Sequence, residues 1–210
     1  MNLPNLITLS RIPLMLLVVA LMAFAPFSGA HTVALFLFLF AALTDWLDGW
    51  LARRLGQTSD FGKFMDALSD KIFVLGMFVS LLALDEGKEL VEWALFPVLL
   101  ILSREFLITG LRLAAAAQGV ILAAERAGKI KTVLQLLCLF LFLSEQALDH
   151  DLNFFFPNVL TQYQPQITYL MEWISIGAAF SLVAATILTV TSGIGYLWRH
   201  GNLFFGEDVK

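Results

Sequence analysis

The sequence predicts an all-α integral membrane protein: six transmembrane helices with a short N-terminal interfacial helix, in a single domain over residues 1–210. Three observations carry this. The chain is 59% hydrophobic with a mean hydropathy of +0.82, well above a soluble domain. Apolar runs of roughly 20 residues, the length that crosses a bilayer, recur from end to end. Charged residues gather between these runs. There is no glycine-rich phosphate loop, repeat or low-complexity stretch, and no separate soluble module. The net charge of −4 gives no reason to expect a nucleic-acid partner.

The runs fall at about 11–28, 33–54, 61–84, 92–117, 125–146 and 170–198. Ahead of the first, Asn2–Ser10 suits a short surface helix. It holds no Lys or Arg, Pro4 interrupts it and no small-x-small site follows, so it does not read as a cleaved leader. Turn residues or charges mark the breaks: Pro26-Phe27-Ser28-Gly29, Gly56-Gln57-Thr58-Ser59-Asp60, Asp85-Glu86-Gly87-Lys88 and Gln118-Gly119. The longest break, 147–169, carries Pro157 and Pro165, and its Phe154-Phe155-Phe156 suits the membrane interface. Cys138 is the single cysteine, so no disulfide closes within the chain. His31, His150 and His200 receive no role.

Basic residues set the orientation. With the N-terminus inside, the outer connections hold only Lys88 of the 13 Lys and Arg. Arg11, Arg53, Arg54, Lys63, Arg126, Lys129, Lys131, Arg199 and Lys210 fall on or near the inner side. Asp85, Glu86, Glu89, Glu92, Asp149 and Asp151 fall outside. Both termini are therefore expected in the cytoplasm, as in a multi-pass protein of a bacterial-type inner membrane.

Against this apolar background stands Asp45-x2-Asp48-Gly49-x2-Ala52-Arg53-x8-Gly62-x3-Asp66-x3-Asp70. A carboxylate at bilayer depth costs a few kcal/mol or more, and clustered ones repel each other. The second and third runs meet at the short connection Leu55–Asp60, which makes them antiparallel neighbours. Asp45 matches Asp70 in distance from that connection, Asp48 matches Asp66, and Ala52 matches Gly62. At 1.5 Å per residue the aspartates lie roughly 10–20 Å along their helices. Each set also forms one helical stripe. If the stripes face each other, an all-oxygen site opens toward the cytoplasm. Such a site suits Mg²⁺ or Mn²⁺, and two ions could bridge the carboxylates and hold a diphosphate. Gly49, Ala52 and Gly62 would leave the mouth open, and Arg53 suits a phosphate oxygen. Two other readings are an ionic network with Arg53, Arg54, Lys63 and Lys71, and an ion or proton pathway. A network leaves the matched depths unexplained. A pathway calls for carboxylates spread through the bilayer.

The pattern resembles the signature of the CDP-alcohol phosphotransferases (CDP-alcohol phosphatidyltransferases), with every element present. The resemblance implies a six-helix membrane enzyme, commonly a homodimer, that moves a phosphatidyl-type group from a CDP-linked donor to an alcohol and releases CMP. It also implies metal binding at Asp45, Asp48, Asp66 and Asp70. Asp70 would be the catalytic base, and Gly49, Ala52, Arg53 and Gly62 would line the CDP site.

The acceptor is read further along, over 103–135. Arg104-Glu105 lies inside the fourth run, with Arg112 eight residues on. Lys129 and Lys131 open the fifth. Arg104, Arg112, Lys129 and Lys131 could surround an anionic acceptor, with arginine gripping a phosphate bidentately. Positive-inside charge at helix ends is the plainer account of Arg112, Lys129 and Lys131. For Arg104 the plainer account is a salt bridge to Glu105 or to another helix, although adjacent helical residues do not face each other. The segments Ser103–Arg112 and Gly128–Gln135, with the opening Asn2–Ile12, are similar to the phosphatidylglycerophosphate synthase branch of the family. Asp66 is followed by Ala67-Leu68-Ser69, where that branch often has proline. The resemblance runs to about Gln135; the last two runs match in hydropathy alone. It implies CDP-diacylglycerol and glycerol 3-phosphate as substrates within membrane lipid. Inositol phosphate or phosphatidylglycerol are the alternative acceptors. A membrane prenyltransferase and an ion carrier are more distant readings.

Overall fold

A computed structural model describes residues 3–55, 60–84, 89–117, 119–120 and 126–200; side chains at 3–8, 45–55, 60–64, 66–67, 89–91, 117, 126–129, 153, 159–162 and 200 lie outside the description. The described residues form α1 (Leu3–Phe24), α2 (Ala30–Leu55), α3 (Asp60–Leu84), α4 (Glu89–Ala117), α5 (Arg126–Phe155) and α6 (Pro157–His200), with no strand among them. Three stretches are long and apolar enough to cross a membrane: Glu92–Ala116, Ile130–Leu152 and Tyr163–Arg199. Leu9–Phe24 and Ala30–Thr44 are shorter apolar helices. Phe24, Phe96, Trp173, Phe180 and Trp198 are each 70% exposed or more, a surface that suits lipid and not water.

Two expectations change. No separate interfacial helix precedes the first span: α1 runs from Leu3 to Phe24 through Pro13. The 147–169 region is not an extended connection, because α5 continues to Phe155 and α6 begins at Pro157. Proline suits a first helical turn, where its missing N–H would have no helical partner. The second proline, Pro165, lies beside a kink at Tyr163, whose φ of −120° and ψ of 22° leave helical geometry. Phe154, Phe155 and Phe156 are exposed.

Lipid-embedded helices gain little from apolar burial, so close packing must hold them. On α2, Ala30, Ala34, Phe38 and Ala41 form one buried stripe, and its small residues admit neighbouring helices. Phe38 stacks on Phe73 of α3, with centroids 5.7 Å apart and planes at 14°. Met15, Val18 and Leu21 bring α1 against both helices. At Gly76 the approach is so tight that a Cβ would lie 2.4 Å from Met15 Sδ. α5 packs chiefly on α6 and α2, and α4 on α6, while α3 touches α4 and α5 only lightly. The α3–α4–α5 junction is where polar groups enter the bundle.

The opposite end is closed by Asp151. Its carboxylate accepts hydrogen bonds from the backbone N–H of Gly29 (3.2 Å) and Thr32 (2.6 Å) and from Thr32 Oγ1 (2.7 Å). α5 thus supplies the N-terminal cap of α2, whose first N–H groups have no helical partner. Gly29 sits at φ +97°, with Phe155 Cζ 2.8 Å from where a Cβ would be, so only glycine fits. His31 Nδ1 lies 3.5 Å from Asp151, and its ring stacks on His150 at 4.3 Å.

Asp151→Ala should lower stability by about 1–3 kcal/mol, because buried donors lose a charged acceptor. Asp151→Asn, which keeps one oxygen, should lose less. Thermal unfolding in detergent checks both; equal, unshifted melting curves would contradict the cap.

Candidate active site

The signature spans the C-terminal half of α2 and the N-terminal half of α3. Asp45 and Asp48 continue the spacing of Ala34, Phe38 and Ala41 along α2, while Asp66 and Asp70 precede Phe73 and Met77 in one register along α3. The Phe38–Phe73 stack joins α2 and α3 about one to three turns along the helices from the aspartates. The side chains of Asp45, Asp48, Gly49, Ala52, Arg53, Gly62 and Asp66 lie outside the described residues, as does that of Lys129.

Asp70 is described and half-buried. It lines a cavity of about 20 Å³ with Lys71, Val74, Leu75, Glu105, Thr132 and Gln135. That is room for one water-sized group. The cavity lies where α3, α4 and α5 converge.

Around it the charges are ordered by Glu105, which is only 7% exposed. Lys131 Nζ donates to Glu105 Oε1, and Arg104 Nη1 donates to the same oxygen at 3.3 Å. The adjacent pair Arg104–Glu105 therefore does form. Cα positions on neighbouring residues diverge, but the long arginine side chain folds back at its far end. Its other nitrogen, Nη2, donates to Ser192 Oγ on α6 at 3.2 Å. The arginine stem rests on Gly193, where a Cβ would lie 2.9 Å from Arg104 Cγ. On the α3 side, Lys71 Nζ donates to Thr109 Oγ1, which in turn donates to the Glu105 carbonyl at 2.6 Å. Three cations (Lys71, Arg104, Lys131) face two carboxylates (Asp70, Glu105) here, leaving one positive charge in excess among these groups.

Of the cations expected at the acceptor, the structure unites Arg104 with Lys131 on one carboxylate. Arg112 is exposed and lies within electrostatic reach of Lys71. Sequence reasoning named Lys71 only as an ionic partner of the aspartates, and missed Thr109, Ser192, Gly193 and Gln135 as parts of the site. Lys71 was detectable, being a charge inside a span beside Asp70. Thr109 was detectable as the i+4 neighbour of Glu105. Ser192 and Gly193 carry no such signal, since their role comes from α6 crossing α4.

An all-carboxylate donor set suits a hard divalent cation, and no histidine or cysteine intrudes on the signature to favour a softer metal. Among the described residues no group of three or more His, Cys, Asp or Glu is arranged to hold a metal ion. Asp70 alone of the four aspartates has its side chain described.

Comparison with known proteins identifies the family of the chain. The profile of a family described as CDP-alcohol phosphatidyltransferase matches residues 1–183, reaching well beyond the Gln135 limit of the motif resemblance. A protein of Pseudomonas fluorescens is 34% identical over 100% of this chain and 97% of its own length. One from Bacillus subtilis (strain 168) is 40% identical over 65% of this chain and 73% of its own. One from Salmonella choleraesuis (strain SC-B67) is 31% identical over 93% of each. All three are named CDP-diacylglycerol–glycerol-3-phosphate 3-phosphatidyltransferase. With its signature intact and the family match covering most of its length, this chain belongs to the CDP-alcohol phosphatidyltransferase family and is a phosphatidyltransferase.

Proposed function

We propose that the protein transfers phosphatidyl from CDP-diacylglycerol to glycerol 3-phosphate, giving phosphatidylglycerophosphate and CMP. One observation carries the reading: Asp70 shares a cavity with Glu105, the carboxylate that holds Arg104 and Lys131. A proton acceptor therefore sits beside fixed cations that suit an anionic alcohol. The full-length relative named for these substrates supports the same choice.

Asp45, Asp48, Asp66 and Asp70 would hold Mg²⁺ or Mn²⁺, in our reading two ions, which stabilise charge on the diphosphate. Gly49, Ala52 and Gly62 give the CDP moiety backbone access, and Arg53 meets its phosphates. Arg104 and Lys131, oriented by Glu105, hold the acceptor phosphate, with Arg112 and Lys129 toward the cytoplasmic mouth. Asp70 takes the proton of the primary hydroxyl. The freed oxygen attacks the phosphorus bearing the lipid, the bond to the CMP oxygen breaks, and CMP leaves with the electron pair. Pre-set cations avoid reorganisation when this charge develops. All six helices cross an inner membrane in this reading, with both termini and the site cytoplasmic, and the enzyme acts as a homodimer.

Purified protein given CDP-diacylglycerol should release CMP with glycerol 3-phosphate, and not with inositol phosphate or phosphatidylglycerol. Robust release with either of those and none with glycerol 3-phosphate would overturn the acceptor. EDTA should abolish turnover, and Mg²⁺ or Mn²⁺ should restore it; full activity in chelator would remove the metal role.

Asp70→Asn should cut kcat by about 10²–10⁴, the usual contribution of a general base. Retention of kcat within a factor of two in the CMP assay would exclude that role.

Glu105→Gln and Gly193→Ala both displace Arg104, the first by removing its ionic partner and the second by filling its resting place. Each should raise the acceptor KM by on the order of tenfold or more, since small misplacements at a site are costly. The lipid KM should change little. Equal effects on both substrates would mark these residues as structural only.

A further inference from the structure

Gln135 is unused by the mechanism, yet its position is unusual. It lies one turn beyond Lys131 on the same face of α5 and is only 3% exposed. Its Nε2 has no hydrogen-bond partner among the described residues. A buried amide donor left unmet is destabilising, and native structures keep such groups chiefly where a ligand or water completes them. Gln135 lines the same small cavity as Asp70, Lys71, Glu105 and Thr132. At about 20 Å³ that cavity has room for one oxygen-sized group.

The walls restrict what that group can be. Asp70 and Glu105 set two carboxylates against the single cation Lys71, so the walls do not favour a phosphate oxygen at this depth. Gln135 offers an N–H, so the incoming atom must accept a hydrogen bond. The neighbouring carboxylate and threonine oxygens favour an atom that can also donate. A neutral hydroxyl meets both requirements. The nucleophilic oxygen has to stay open toward the donor phosphorus, so the enclosed oxygen is its neighbour on the acceptor.

We propose that Gln135 is a specificity-determining residue that donates a hydrogen bond to the secondary hydroxyl of the acceptor, next to the hydroxyl that attacks. This assignment rests on glycerol 3-phosphate being the acceptor. It makes the enzyme a reader of vicinal diol phosphates rather than of any small alcohol with an anionic tail. A site built to hydrogen-bond a hydroxyl discriminates strongly against the analogue lacking it, because the protein group is then left unpaired.

The test compares glycerol 3-phosphate with 3-hydroxypropyl phosphate, which lacks only the secondary hydroxyl. CMP release from CDP-diacylglycerol is measured with the full-length wild type and with Gln135→Met. The wild type should prefer glycerol 3-phosphate in kcat/KM by roughly tenfold or more, and Gln135→Met should bring the two acceptors within about twofold. Because methionine is apolar and close in length, the variant should melt in detergent at or above the wild-type temperature. A wild type indifferent to the two acceptors would overturn the assignment. So would a Gln135→Met variant that loses rate equally on both, or one that melts lower while keeping the wild-type preference. Wild-type protein that uses another acceptor and ignores glycerol 3-phosphate would instead remove the function proposed above, and this assignment with it.

Discussion

One buried carboxylate, Glu105, fixes where the cations of this bundle can sit. It receives Lys131 from α5 and Arg104 from its own helix, and Arg104 passes the link on to Ser192 of α6. An ammonium or guanidinium at this depth without a counter-charge costs several kcal/mol. With Glu105 present, both can stay charged inside an apolar scaffold. The carboxylate answers only part of the positive charge around it, and an anionic substrate can supply the rest. Folding and recognition therefore draw on the same groups.

The packing distributes rigidity accordingly. On one side, Gly76 lets α1 and α3 approach within the reach of Met15, and the alanines of α2 admit its neighbours. On the other side, α3 meets α4 and α5 lightly, through Lys71, Thr109 and the cavity beside Asp70. Polar groups are concentrated at this looser junction. The tightly packed side keeps α3 in register.

Much of this was legible in the residues. Apolar runs gave the helices, and the spacing from Asp45 to Asp70 gave the family. Arg104 and Lys131 stood out as charges within apolar stretches. Other features were hidden for physical reasons. Pro157 reads as a break in a linear sequence, yet proline is compatible with a first helical turn, so α6 begins there. The Arg104–Glu105 pair contradicts simple helical-wheel reasoning because side-chain length matters as well as Cα direction. Ser192 and Gly193 join the site only through the crossing of α4 and α6, which no local pattern encodes. Gln135 looks like any polar residue near a helix start until its burial is known.

The cap that Asp151 places on α2 also bears on how the protein is made. Thr32 and the aspartate that satisfies its N–H are 119 positions apart. A ribosome delivers the chain in order, so α2 is made long before its cap exists. Until α5 arrives, Gly29 and Thr32 must take their hydrogen bonds from other partners. The cap closes only when α5 has packed with Asp151 at the start of α2. An α5 packed the other way round would leave that start open. Asp151 thus ties completion of an early helix to the placement of a late one.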